Sequence, residues 1–274
     1  MLGSPIEHSL SPVLHGAAYR ELGLADWTFE RVLCSAEDLP GFVDGLGPEW
    51  AGLAVTMPGK RAALAYASER TRVAELVGAA NTLVPRAEGG WLADCTDVEG
   101  VVGALNAAGG VPAGGRAVVL GAGGTATAAL TALEALKIPA ATIVVRDPAR
   151  AGEALACAGR VGVQVDLIRW DEADLAGLCG GADLVVSTVP VGAVAPVAGD
   201  IVRAGCVFDV IYHPWPTPLA QAARERGTRV VTGLDMLLHQ AFEQVHWFTG
   251  LPAPRLAMRS ALRSATGTEL PLPV

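Results

Sequence analysis

Four short stretches hold polar side chains of the kinds that serve catalysis: GSPIEHSLSPVLH at residues 3–15, VTMPGK at 55–60, ANT at 80–82 and DCTD at 94–97. They supply hydroxyls (Ser9, Ser11, Thr56), an amide (Asn81), an amine (Lys60) and a carboxylate (Asp97). Reduction of a small hydroxylated acid calls for this mixture: hydroxyls and amides hold the ring and its carboxylate, while one titratable group moves the proton. Each residue also has a plainer explanation. Ser9 and Ser11 are placed to cap a helix before Pro12, Lys60 to be a solvated first-turn lysine, Asn81 to close a turn, and Asp97 to cap a helix near Val98. The combination, ahead of a fifth stretch, favours chemistry.

That stretch is GAGGTATAAL (121–130), which follows the β-branched run RAVVLG and opens a helical segment. Gly121, Gly123 and Ala126 match G-x-G-x-x-[GA], where small residues allow a tight turn and close approach of backbone to a pyrophosphate. With Ala122, Gly124 and Thr125 they form the expected phosphate loop, its free amides at a helix start. The plainer alternative is a glycine-rich strand–helix turn. After the next strand the chain reads VVRDPAR, and the guanidiniums of Arg146 and Arg150 favour the 2′-phosphate of NADP over the bare ribose of NAD. Asp147, between them, is suited either to a ribose hydroxyl or to capping a helix at Pro148. Thr188 and Val210 are assigned to the cofactor as well.

These residues need a scaffold. RAVVLG (116–121), ATIVVR (141–146), VQVDLIR (163–169), ADLVVSTV (182–189), CVFDVIY (206–212) and TRVVTG (228–233) are near-continuous apolar runs, most of them separated by stretches of helical length. That alternation predicts a parallel sheet covered on both faces. Residues 1–100 have their own strand candidates at 28–34, 50–57 and 79–85, with helices near 12–22, 36–46 and 59–70. AGGVPAGG (108–115) ends a linker helix. Helical spacing in LDMLLHQAFEQVHWF (234–248) and PRLAMRSAL (254–262) predicts two final helices, which either cap the sheet or return to the first domain. We expect the return. The fold class is therefore α/β: a substrate domain at 1–100, completed by C-terminal helices at about 236–265, and a Rossmann-like doubly wound dinucleotide-binding domain at 101–235.

Composition narrows the class. Apolar residues make up 51% and charged residues 18%, enough for a sizeable core. The net charge of −8, with no basic cluster, argues against nucleic acid as a partner. Neither a membrane span nor a signal peptide is evident. Five scattered cysteines without a C-x-x-C pair read as reduced thiols of a cytoplasmic protein, and the dispersed histidines give no metal site.

The motifs together resemble shikimate dehydrogenase, the NADP-dependent family that interconverts 3-dehydroshikimate and shikimate, over nearly the whole chain. GSPIEHSLSPVLH resembles G-x-P-I-x-H-S-x-S-P-x-x-H, which implies that Ser9 and Ser11 hold the substrate carboxylate. VTMPGK resembles V-T-x-P-x-K, implying substrate contact for Thr56 and catalysis for Lys60. GAANT and TDVEG resemble G-A-x-N-T and T-D-x-x-G, implying Asn81 for ring hydroxyls and Asp97 as partner of Lys60. FDVIYHPWPTPL and GLDMLLHQAFEQVHWFTG resemble the two C-terminal signatures, which bring Tyr212 and Gln240 to substrate and Gly233 to the nicotinamide. His8 and His15 are expected to make structural hydrogen bonds. The chain departs from the family at Ala54 and Cys95, where amides are usual, and at Val145-Arg146-Asp147 in place of Asn-Arg-Thr. Only Met1 and Leu2 precede Gly3 where the family has its first strand, so a late chain start is an expectation. The resemblance implies a small-molecule substrate and a monomer or homodimer. Alternatives are a quinate or aminoshikimate dehydrogenase using NAD, or a dinucleotide sensor without catalysis.

Overall fold

The computed structural model describes residues 1–268. The chain divides into two compact units: Met1–Gly100 with the C-terminal portion from Leu237, and Val101–Met236.

In the second unit the six apolar runs form one wholly parallel sheet. Its order is Arg229–Thr232, Cys206–Asp209, Leu184–Ser187, Arg116–Leu120, Ala140–Val145, Gln164–Arg169. This is the doubly wound order, with the topological switch between Arg116–Leu120 and Leu184–Ser187. The strands read as unbroken apolar runs because both faces are covered. Val118, Leu120, Val144, Val185 and Val207 join Ile201, Val202 and Leu219 from the crossovers in one core.

The first unit is built from much shorter strands. Leu53–Ala54, Thr82–Pro85, Trp91–Asp94 and Glu69–Arg70 form a mixed sheet in that order. Leu2–Gly3 pairs in parallel with Val32–Leu33 and bridges to Val55. Leu2, Leu39, Val43, Leu53, Val55, Leu83 and Ala93 pack beneath it. The expected strand at 28–34 shrinks to Val32–Leu33. The expected helix at 59–70 ends at Tyr66, because Ala67 is extended and Glu69–Arg70 pairs with Leu92–Ala93. Residues 11–21 form a helix, Ser11–Glu21, which packs against Arg255–Thr266. The helix Gly233–Thr249 begins in the second unit and from Leu237 belongs to the first.

Register sets up the site. Leu53–Ala54 and Trp91–Asp94 are both antiparallel to Thr82–Pro85, so they point the same way. Leu2 pairs in parallel with Val55 and shares that direction. One edge of the sheet therefore carries the segments just past the ends of these strands: Ser4 onward, Thr56 to Lys60, and Cys95 to Asp97. The antiparallel strand begins there, preceded by Asn81.

Candidate active site

At that edge Asn81 is held on both sides by backbone: its N–H donates to Asp94 O at 3.1 Å, and its carbonyl accepts from Val55 N at 2.7 Å. Its side chain is almost fully buried. Nδ2 donates to Asp97 Oδ1 at 3.0 Å and to Gln240 Oε1 at 3.2 Å. Oδ1 accepts from the Thr96 backbone N–H at 2.9 Å and from the Thr82 hydroxyl at 2.9 Å. Asp97 opens the helix Asp97–Ala107, and its Oδ2 takes a hydrogen bond and ion pair from Lys60 Nζ. Both carboxylate oxygens are thus committed to side chains.

Lys60 is in a first turn, as expected, but it is not solvated: its side chain is only 18% exposed. Burial pushes the ammonium pKa down, and the Asp97 carboxylate more than offsets this, so the lysine sits above its ordinary value and is charged. Cys95 is fully buried with its Sγ 4.0 Å from Asp97 Oδ2. Burial first, and Asp97 next, push its thiol well up, so it stays protonated. Ala54 is also fully buried, paired opposite Thr82.

The opening stretch leads into the helix Ser11–Glu21, whose N-cap is Leu10 without a side-chain hydrogen bond. Ser9 Oγ accepts from Ser11 N at 3.3 Å. The Ser9 carbonyl is clamped by Arg31, Nη2 donating at 2.6 Å and Nε at 2.9 Å. Ser11 is buried. Thr56 donates its N–H to Leu2 O at 2.8 Å, which ties that stretch to the strand end. Gln240 reaches Asn81 from the helix Gly233–Thr249. Tyr212 belongs to the second unit, where it lies beside Gly233.

Sequence reading missed two supports on the same helix. Gln244 donates from Nε2 to Asn81 O and Thr82 Oγ1, and Trp247 Nε1 donates to Asp94 Oδ2 at 2.9 Å. Positions 240, 244 and 247 are one helix face, a spacing that could have found them. His15 makes a structural hydrogen bond to Gln244.

In the second unit the glycine loop suits a phosphate. Gly121 has φ +105°, a left-handed conformation that disfavours side chains, and a Cβ there would collide with the Thr188 hydroxyl. Nothing lies within 4 Å of where Cβ atoms of Gly123 or Gly124 would be. No side chain caps the helix Gly124–Ala135, so the amides around Gly124, Thr125 and Ala126 are free to cradle an anion beside Ala122. The Thr188 hydroxyl donates to Leu120 O at 2.8 Å, which braces the loop from beneath. Arg146 and Arg150 are exposed beyond the strand Ala140–Val145. Asp147 caps the turn Pro148–Arg150, its Oδ1 accepting from Ala149 N at 3.0 Å. The capping alternative therefore describes Asp147, and the two arginines remain as cations for a 2′-phosphate. Gly233 lies so close to the Val210 carbonyl that a Cβ would overlap it. These groups fit a dinucleotide.

Comparison with known proteins agrees with this architecture. Residues 1–83 match the family described as shikimate dehydrogenase substrate binding domain, and residues 233–263 the shikimate 5'-dehydrogenase C-terminal domain. Shikimate dehydrogenase (NADP(+)) of Moorella thermoacetica is 36% identical over 98% of this chain and 93% of its own. The crystal structure of Mycobacterium tuberculosis shikimate dehydrogenase superposes with TM-score 0.90 and 52% identity, covering 96% of this chain and 97% of that one. The Thermus thermophilus enzyme, in complex with NADP(H) and shikimate, superposes with TM-score 0.82 and 33% identity, covering 96% and 97%.

Proposed function

We propose that this chain, which belongs to the shikimate dehydrogenase family, catalyses the reversible NADPH-dependent reduction of 3-dehydroshikimate to shikimate, a step in aromatic amino acid biosynthesis. The observation that carries the reading is the buried Lys60–Asp97 pair, held in register by Asn81.

NADPH, when bound, supplies the hydride. The rest is the work of this chain's own residues. Lys60, charged because Asp97 outweighs the effect of burial, donates a proton to the oxygen on the carbon being reduced. In the oxidative direction its amine takes that proton back. Asp97 holds Nζ with one oxygen while Asn81 holds the other, so the donor cannot swing away. Ser9 and Ser11 bind the substrate carboxylate as hydroxyl donors. Thr56, Asn81, Gln240 and Tyr212 take the ring hydroxyls. The loop 121–126 and Thr188, Val210 and Gly233 hold the dinucleotide, with Arg146 and Arg150 on its 2′-phosphate.

Arg146 and Arg150, both exposed beyond the strand end, support NADP over NAD. Retention of both proton-transfer residues speaks against a sensor. The five cysteines, all free and buried, fit a reducing compartment, and we place the protein in the cytoplasm as a monomer or homodimer. Nicotinamide absorbance with shikimate or quinate as donor and NADP⁺ or NAD⁺ as acceptor tests the assignment. Fast turnover with shikimate and NADP⁺ alone is the expected result. Comparable rates with quinate or NAD⁺ would overturn the specificity, and no turnover in any combination would overturn the reaction.

A further inference from the structure

The proposed chemistry makes no use of His15, yet this side chain is fully buried and tightly placed. Its ring stacks on Phe29 with centroids 3.9 Å apart and planes at 9°, and Phe248 leans against it at 5.7 Å. Nε2 lies 3.3 Å from Gln244 Oε1, while Nδ1 has no hydrogen-bond partner among the described residues.

The direction of every hydrogen bond leading away from this ring is set by what each group can donate. The Thr96 backbone N–H can only donate, so Asn81 must turn Oδ1 toward it and Nδ2 toward Asp97. The Thr82 hydroxyl gives its single proton to that same Oδ1. Its oxygen is then free to accept from Gln244 Nε2, at 3.0 Å. The second Nε2 hydrogen goes to the Asn81 carbonyl at 3.2 Å. Gln244 is left presenting Oε1, a pure acceptor, to the imidazole. His15 therefore carries its proton on Nε2.

We propose that His15 is a positioning residue for the reaction, the fixed donor at the head of a one-way relay through Gln244, Thr82 and Asn81 that ends on Asp97, the carboxylate that also holds Lys60. Burial drives the ring's pKa down to about 3, which keeps it neutral and limits it to a single donor at ordinary pH. Without that donor Gln244 Oε1 is buried and unpaired while Nε2 still has both its acceptors, so the amide does not turn over but shifts to bring Oε1 to another donor. That shift weakens the hydrogen bonds that Nε2 gives to the Asn81 carbonyl and to the Thr82 hydroxyl. The Thr96 N–H still fixes which way the Asn81 amide faces, but with its carbonyl and the Thr82 hydroxyl loosened its Nδ2 is held less firmly on Asp97. The effect reaches substrate binding and proton delivery together, but not the dinucleotide.

The inference rests on the proposed reaction, and its test separates the two. His15→Phe keeps a ring on Phe29 and removes the donor, whereas His15→Gln returns an Nε2 donor at similar reach. In folded His15→Phe, kcat for shikimate oxidation should fall about tenfold and the KM for shikimate should rise, as loss of one buried hydrogen bond implies. The KM for NADP⁺ should not move, and His15→Gln should recover most of the loss. A lowered Tm with wild-type kinetic constants would make His15 merely structural and overturn the proposal. So would a His15→Gln variant as impaired as His15→Phe. If His15→Phe does not fold, Gln244→Met, which has no donors, should show the same kinetic pattern, and normal constants there overturn the relay. Wild-type protein without shikimate turnover would defeat the reaction instead. The relay is then read from the ¹⁵N signals of His15, which should report the neutral Nε2–H tautomer from about pH 5 to 9; the Nδ1–H tautomer or an imidazolium would overturn it.

Discussion

Replacing Lys60 with alanine should separate catalysis from binding. The amine is the group that moves the proton, and general acid–base assistance contributes about two to four decades in rate, or about 3 to 5 kcal/mol of barrier. Binding depends on Lys60 through one hydrogen bond among several, worth about 0.5–1.5 kcal/mol, so shikimate affinity should weaken only about two- to tenfold. Stability changes little for a reason visible in the structure. Asp97, 3% exposed, loses its ion pair but keeps Asn81 Nδ2 at 3.0 Å. Lys60 is 18% exposed, so water can enter the space the side chain leaves. The cost should therefore lie below the about 3–5 kcal/mol of breaking a fully buried pair. About 1–2 kcal/mol would lower Tm by roughly 2–8 °C. The assay is NADPH formation at saturating NADP⁺ across a shikimate titration, with calorimetric binding of shikimate and a melting curve alongside. Turnover within tenfold of wild type would refute the role of Lys60. A raised KM with unchanged kcat would make it a binding residue only.

The same geometry sets the outcome of other perturbations. Arg146→Ala and Arg150→Ala should each raise the KM for NADP⁺ by about tenfold, as expected for losing one charge-assisted contact at an exposed site; equal effects with NAD⁺ would show that neither arginine reads the 2′-phosphate. Trp247→Phe strips Asp94 Oδ2 of its donor while Thr71 still serves Oδ1 at 2.5 Å. A loss of about 1–3 kcal/mol, seen as a Tm drop of roughly 2–10 °C, is expected; an unchanged melting curve would remove Trp247 from the framework. Glu99 is raised to about 7, first by burial and then by Asp94, Glu243 and Asp97. The folded chain thus keeps a proton that the unfolded chain releases above the ordinary glutamate range, so stability should fall as pH rises toward about 7. Glu99→Gln should remove that part of the slope from melting curves at pH 5 to 7.5, and an identical slope in the variant would contradict it.

The parallel sheet was legible because its strands need nothing but continuous apolar β-branched runs, and all six runs appear as strands. The first unit was harder. Its strands are mostly two residues long, too short for a period-2 pattern, and pairing rather than propensity makes them. Trp91–Asp94 was missed: the turn at Gly89–Gly90, both with positive φ, returns the chain onto Thr82–Pro85, and a four-residue run gives no alternation to read. The helix Arg72–Val77 was missed too, although Thr71 caps it through Ala74 N.

Lys60, Asp97, Asn81 and the glycine loop could be picked out from residue type and spacing, since proton transfer and phosphate binding need particular functional groups and those groups are local. Which of their plainer explanations failed could not be read there. Asp147 turned out to be a cap, through an amide two residues on, and Lys60 not to be solvated, an outcome that depends on Asp97, brought in from elsewhere. The same holds for His15 and Gln244, which are 229 residues apart in sequence. Strand register brings separate stretches to one sheet edge, and burial then forces every donor there to find an acceptor. Only in the folded chain do these requirements act together, so the charge on Lys60 and the direction of each hydrogen bond around Asn81 belong to the tertiary structure.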